Sequence, residues 1–136
     1  MVTELLPGIL DGNIIPKPQD HERATYDKLI KKSDGQIDWS KPASRLEREV
    51  RAYANWPKST TKIYNTDVIL TSVHAETSLL SQMSNDGIEH GNAFIAENNE
   101  LVVVTGDGLL AIDTLKPIGK SEMTAKQFLS GYTPKP

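Results

Sequence analysis

The spacing of hydrophobic positions changes along the chain, and each change marks an element. Ala43, Leu46, Val50 and Tyr53 recur at intervals of three or four, the stripe of an amphipathic helix. With Ser40 as N-cap and Pro42 in the first turn, that helix is predicted from about Lys41 to Ala54. Asn55-Trp56-Pro57 ends it, because proline disfavours helical backbone at the residue before it. Just upstream, a Ser33-Asp34-Gly35 turn leads into Ile37 and Trp39, which alternate with Gln36, Asp38 and Ser40 in a strand-like pattern. Beyond Pro57 the period falls to two. Thr60 to Tyr64 and Asp67 to Ala75 read as a hairpin about Asn65-Thr66. Ala93–Glu97, Glu100–Thr105 and Leu109–Leu115 form a meander joined by Asn98-Asn99 and Gly106-Asp107-Gly108. The polar stretch Glu76 to Gly91 reads as a long loop. Five strands with little helix between them predict a mainly β fold, a small antiparallel barrel preceded by one amphipathic helix.

The two ends are punctuated differently. Leu5, Leu6, Ile9 and Leu10 stand at helical spacing, with Pro7 tolerated only near the first turn and Gly12 as a stop. Such a helix is too short to bury its apolar face alone, so it is expected to pack on a partner or to support a weak dimer of an otherwise monomeric chain. Asn13 to Ala24, with Pro16, Pro18 and mixed charges, has the composition of an extended linker. Tyr26, Leu29 and Ile30 allow one further helical or extended turn. At the far end, Thr124 and Gln127 fit a capping box, with Met123 and Phe128 at the staple positions. A last short helix is therefore predicted over Ala125–Ser130, with Gly131 as its C-cap.

Charge adds a division that hydropathy does not show. The net charge of −3 conceals +4 over residues 17–65 and −5 over residues 66–136, with two acids before them. Any nucleic-acid surface must therefore come from the first half. The 136 residues suit one domain plus an extension, and the absence of cysteine removes disulfides and thiolate metal sites. No apolar run approaches about 20 residues, so no membrane span is expected, and a cytoplasmic setting is compatible with the composition.

Candidate chemistry is sparse. Thr105-Gly106-Asp107-Gly108 lacks the following helix and the Lys-Ser/Thr pair of a phosphate loop and reads as a hairpin turn. His21, His74 and His90 show no zinc-ligand spacing, so no metal site is expected. Asp38 reads as the solvent side of its segment, and Trp39 and Trp56 read as packing residues. No nucleophile, base and orienting residue can be grouped as a catalytic set. Arg45, Arg48 and Arg51 spread over roughly 120° of the predicted helix. Either they pair with Glu49 and Glu47 on a solvated face, or they outnumber those acids and meet phosphates.

Several motifs occur in an order that resembles a known family. Pro18-Gln19-Asp20 with Ala24-Thr25-Tyr26, Asp38-Trp39-Ser40, Trp56-Pro57, and Thr105-Gly106-Asp107-Gly108 with Met123, Phe128-Leu129 and Gly131 together resemble the C-terminal region of methionyl-tRNA formyltransferases. The resemblance covers almost the whole chain and implies residues 1–12 as the trailing helix of an absent catalytic domain. It also implies a linker over 13–33, an OB-like barrel domain over 34–132 and a tail over 133–136. In that family an upstream Rossmann-like domain uses an Asn/His/Asp set and 10-formyltetrahydrofolate to formylate the methionine on initiator tRNA. None of its motifs occurs here, so the resemblance implies no catalytic residue and no cofactor in this chain. The implied partners are the catalytic domain and initiator tRNA. The implied tRNA-binding residues are Lys31, Lys32, Lys41, Arg45, Arg48, Arg51, Lys58 and Lys62. The alternative is a spacer domain, without RNA binding, from a related formyltransferase acting on another amine. Two departures stand out: Lys58-Ser59-Thr60 where the family commonly has Gly, a small residue and an aromatic, and His90-Gly91 where it has Pro-Gly.

Overall fold

A computed structural model describes residues 2–15, 17–76 and 89–132. Among these, the elements run α1 (Val2–Leu10), α2 (Ala43–Ala52), β1 (Ser59–Ile63), β2 (Thr66–Glu76), β3 (Ala93–Ile95), β4 (Leu101–Val104), β5 (Leu109–Pro117), β6 (Met123–Thr124) and α3 (Ala125–Tyr132). The strands form one antiparallel sheet in the order β1-β2-β5-β4-β3, with β6 added to β5. The sheet curls into a half-barrel whose edges are β1 and β3. Most of the expected loop from Glu76 to Gly91 and the tail 133–136 lie outside the described residues.

The helical stripe read from the sequence is the buried side of α2. Ala43, Leu46 and Val50 are buried, and Tyr53 is half-buried just past the helix. Leu46 meets Leu110, Val73 and Trp39, while Val50 joins the main core of Ile63, Val68, Leu101, Ile112 and Phe128. α2 starts two residues later than predicted. The Ser40 hydroxyl is held by Asp38 Oδ1 at 2.6 Å and cannot cap the helix. Pro42 takes the N-cap position, and the Ala43 N–H donates instead to the Asp107 carbonyl at 2.9 Å. A carbonyl far away in sequence therefore satisfies one of the helix's orphan donors.

That contact joins the two most specific motifs of the chain. The Gly106 N–H donates to the carbonyls of Trp39 (2.8 Å) and Lys41 (3.1 Å), so the β4–β5 turn sits against the segment leading into α2. A Cβ on Gly106 would fall 1.8 Å from the Ser40 carbonyl oxygen. The Thr105 hydroxyl donates back to the Asp107 and Gly108 carbonyls and closes the turn. The Thr-Gly-Asp-Gly motif is thus a structural hairpin turn, and its glycine allows backbone to meet backbone.

Other boundaries move for local reasons. Ile37 and Trp39 are half-buried and Gln36, Asp38 and Ser40 exposed, as alternation predicts. The segment is only a bridge from Gln36 to Thr60, and the Trp39 indole N–H donates to Thr61 Oγ1. The first hairpin turns at Tyr64-Asn65, one residue early, with both φ values positive (46° and 61°). α3 has its capping box, Gln127 N to Thr124 Oγ1 and Thr124 N to Gln127 Oε1. It runs through Gly131 to Tyr132, whose ring stacks on Phe128 at 4.7 Å. α1 carries Pro7 inside the helix rather than in its first turn. Leu5, Leu6, Ile9 and Leu10 are all exposed. Tyr26, Leu29 and Ile30 are exposed outside any helix or strand, whereas His21–Arg23 forms a 3₁₀ turn capped by Asp20. Trp56 precedes a cis peptide bond to Pro57 and is 57% exposed, not the packed residue expected.

Candidate nucleic-acid interface

The predicted basic residues do not form one uniform patch. Lys41 Nζ donates to both oxygens of Glu49 at 3.0 and 2.9 Å, and Arg45 Nε donates to the same carboxylate at 3.0 Å. Two cations share one anion there. Arg51 pairs with Glu47 at 3.5 Å and Lys62 with Asp67 at 4.0 Å. Such exposed pairs contribute about 0.2–1 kcal/mol each and leave their charges accessible. Arg48, Lys31, Lys32 and Lys58 form no ion pair among the described residues.

The fold brings three of these residues to the C-terminal end of α2. A 3₁₀ turn, Lys32–Gly35, packs so closely that a Cβ on Gly35 would fall 2.1 Å from the Lys58 carbonyl oxygen. Thr60 Oγ1 also donates to the Gly35 carbonyl, and the Lys58 N–H donates to the Tyr53 carbonyl. Lys31, Lys32 and Lys58 therefore flank the C-terminal end of α2. Arg45, Arg48, Glu49, Ala52 and Tyr53 line a shallow open depression on that same helix. Arg51 points instead into the groove between α2 and β2, beside Thr71 and Ser72. Lys62 lies four residues along β1 from Lys58, roughly 13 Å away, near Asn65 and Asn92. Arg51 and Lys62 are thus set apart from the main group.

Titration adds one local effect. The hydroxyl and the N–H of Ser40 both donate to Asp38 and hold its carboxyl below the ordinary aspartate range. A carboxylate held ionised and exposed by its own turn is a structural anion. Burial pushes the Tyr64 hydroxyl up.

Residues 29–133 match the family model described as the formyl transferase C-terminal domain. The chain belongs to that family. Over 131 residues it is 39% identical to a methionyl-tRNA formyltransferase of Roseiflexus castenholzii, covering 96% of this chain and 40% of that protein. A methionyl-tRNA formyltransferase of Bacillus licheniformis is 33% identical over 132 residues, with 96% and 40% covered. The chain therefore spans only about two-fifths of the length of these relatives. In fold, it is similar to HypX from Aquifex aeolicus in complex with tetrahydrofolic acid, with a TM-score of 0.58 at 18% identity. That likeness covers 96% of this chain and 22% of the other. Among the described residues, no helix of the domain is long and apolar enough to cross a membrane.

One group of polar residues escaped the reading by spacing. His74, Glu76 and Glu100 each bring a ligand atom within 4.8 Å of the other two. Linear zinc motifs do not anticipate it, because Glu100 reaches the pair across the sheet. The available signal was His74 and Glu76 at i and i+2, which share one face of a strand.

Proposed function

We propose that this domain holds tRNA for formyl transfer within a methionyl-tRNA formyltransferase. An N-terminal catalytic domain would use 10-formyltetrahydrofolate to formylate methionine on initiator tRNA in the cytoplasm. The observation that carries this reading is the excess of cations along α2 and at its C-terminal end. Lys31, Lys32, Arg48 and Lys58 have no acidic partner among the described residues, and Lys41 and Arg45 divide one carboxylate. Such a surface neutralises phosphates without reading bases, so it orients a tRNA while discrimination rests elsewhere. The names of the curated relatives point the same way.

A spacer role in a formyltransferase acting on another amine is favoured by the pairing of Arg51 with Glu47 and of Lys62 with Asp67. The two readings separate on charge reversal. Lys32→Glu with Arg48→Glu is expected to abolish tRNA binding by the purified chain, while Arg51→Glu with Lys62→Glu weakens it much less. Equal effects of the two double variants would dissolve the localised surface, and a lack of binding by the unaltered chain at low salt would leave the spacer role.

A further inference from the structure

The register of the sheet places a second polar group on the face that α2 does not cover. His74 pairs with Ala111, which pairs with Val102, and Glu76 pairs with Leu109, which pairs with Val104. Cross-strand partners share a face, so His74 and Glu76 border the minor core of Val102, Val104, Leu109 and Ala111. Glu100 immediately precedes β4 and reaches the same border. The β2–β5 pairing skips Thr71 and Asp113, an irregularity of the kind that re-aims side chains beside a site.

We propose that His74, Glu76 and Glu100 bind a divalent transition-metal ion of the zinc class, with Asp113 positioning the imidazole. His74 Nδ1 is 2.9 Å from Asp113 Oδ1, and the Ser72 hydroxyl donates to Asp113 Oδ2 at 3.0 Å. The carboxylate fixes the tautomer with the proton on Nδ1 and leaves the Nε2 lone pair free for a cation. Nε2 lies 3.8 Å from Glu76 Oε2. Glu100 Oε2 is shielded from solvent and accepts no hydrogen bond. An imidazolium would satisfy Asp113 and approach Glu76, but it leaves that buried oxygen without a partner. A metal ion gives that oxygen a partner and lies within reach of His74 Nε2 and the Glu76 carboxylate. Tetrahedral zinc, with bonds of about 2.0–2.2 Å, sets its ligands roughly 3.4 Å apart, so the widest pair must close by about 1.4 Å. Carboxylate rotation supplies movement on that scale. The mixture of imidazole and carboxylate favours zinc or cobalt over magnesium or calcium, which prefer oxygen alone.

The site is independent of the tRNA reading. The test is titration of the chelator-treated, purified chain with zinc by calorimetry, and with cobalt by visible absorption. One equivalent is expected to bind and to raise the melting temperature, and cobalt is expected to give the intense bands of a four-coordinate site. Asp113→Asn preserves shape and should weaken binding about 10- to 100-fold. His74→Gln and Glu100→Gln should weaken it at least as much while the far-ultraviolet circular dichroism stays unchanged. Absence of saturable binding overturns the proposal, and so does binding that is unchanged in His74→Gln and Glu100→Gln.

Discussion

Replacing Gly106 by alanine tests whether the two motifs hold each other in place. The new Cβ would stand 1.8 Å from the Ser40 carbonyl oxygen and 2.5 Å from the carbonyl carbon. Reaching even a tight 3.4 Å contact requires the turn to retreat by about 1.6 Å. A shift of that size breaks the 2.8 Å bond from Gly106 N to the Trp39 carbonyl and the 2.9 Å bond from Ala43 N to the Asp107 carbonyl. Each such bond is worth about 0.5–1.5 kcal/mol net, and stranding a partly buried donor costs about 1–3 kcal/mol more. The expected loss is about 2–6 kcal/mol, or a fall on the order of 10–20 °C in melting temperature for a chain of this length. Urea unfolding followed by tryptophan fluorescence reads it directly. Gly108→Ala is the informative comparison: φ is +89° there, but the nearest atom to an added Cβ is Ala43 Cβ at 3.5 Å. It should lose only about 1–2 kcal/mol from left-handed backbone. A Gly106→Ala variant within about 1 kcal/mol of the unaltered chain, or less affected than Gly108→Ala, would show that the two motifs do not hold each other in place.

Two further predictions concern residues beside the interface. Lys58 has φ +74°, a left-handed backbone that glycine adopts freely, so Lys58→Gly should stabilise the domain by about 1 kcal/mol while weakening tRNA binding; a lower urea midpoint would contradict it. Ser40→Ala removes a donor that holds the Asp38 carboxyl low, so carboxyl NMR should show Asp38 titrating at higher pH in the variant. Because the folded-state value is depressed, the linked stability is complete at neutral pH and is lost as pH falls through the folded value. An unchanged Asp38 titration would remove the turn as the cause.

What the sequence displayed was local pattern, and what it hid was long-range contact. The stripe Ala43, Leu46, Val50 was legible because burial on a helix repeats with its own period. The true start of α2 was not, because its cap comes from Asp107, across the molecule. The longer strands were legible as β-branched and apolar runs bounded by turn residues, β4 being buried on both faces, whereas two-residue β6 has too little sequence to signal and exists through pairing with Thr114 and Leu115. Tyr64 in a left-handed conformation shifted the first hairpin against ordinary turn preference. The basic residues were legible as a charge excess, but not their grouping: the close approach of Gly35 to Lys58 gathers Lys31, Lys32 and Lys58 beside α2. The same limit hid Glu100 from His74, since neighbours across strands carry no fixed spacing.

The salt dependence of initiator tRNA binding by the purified chain bears most directly on the proposed role. Four phosphates neutralised by Lys31, Lys32, Arg48 and Lys58 imply about a 50- to 150-fold loss of affinity between about 50 and about 200 mM salt. The Lys32→Glu, Arg48→Glu variant should lose both the affinity and most of that slope. Binding that ignores salt, or survives the double reversal, would contradict a phosphate-positioning surface at the end of α2.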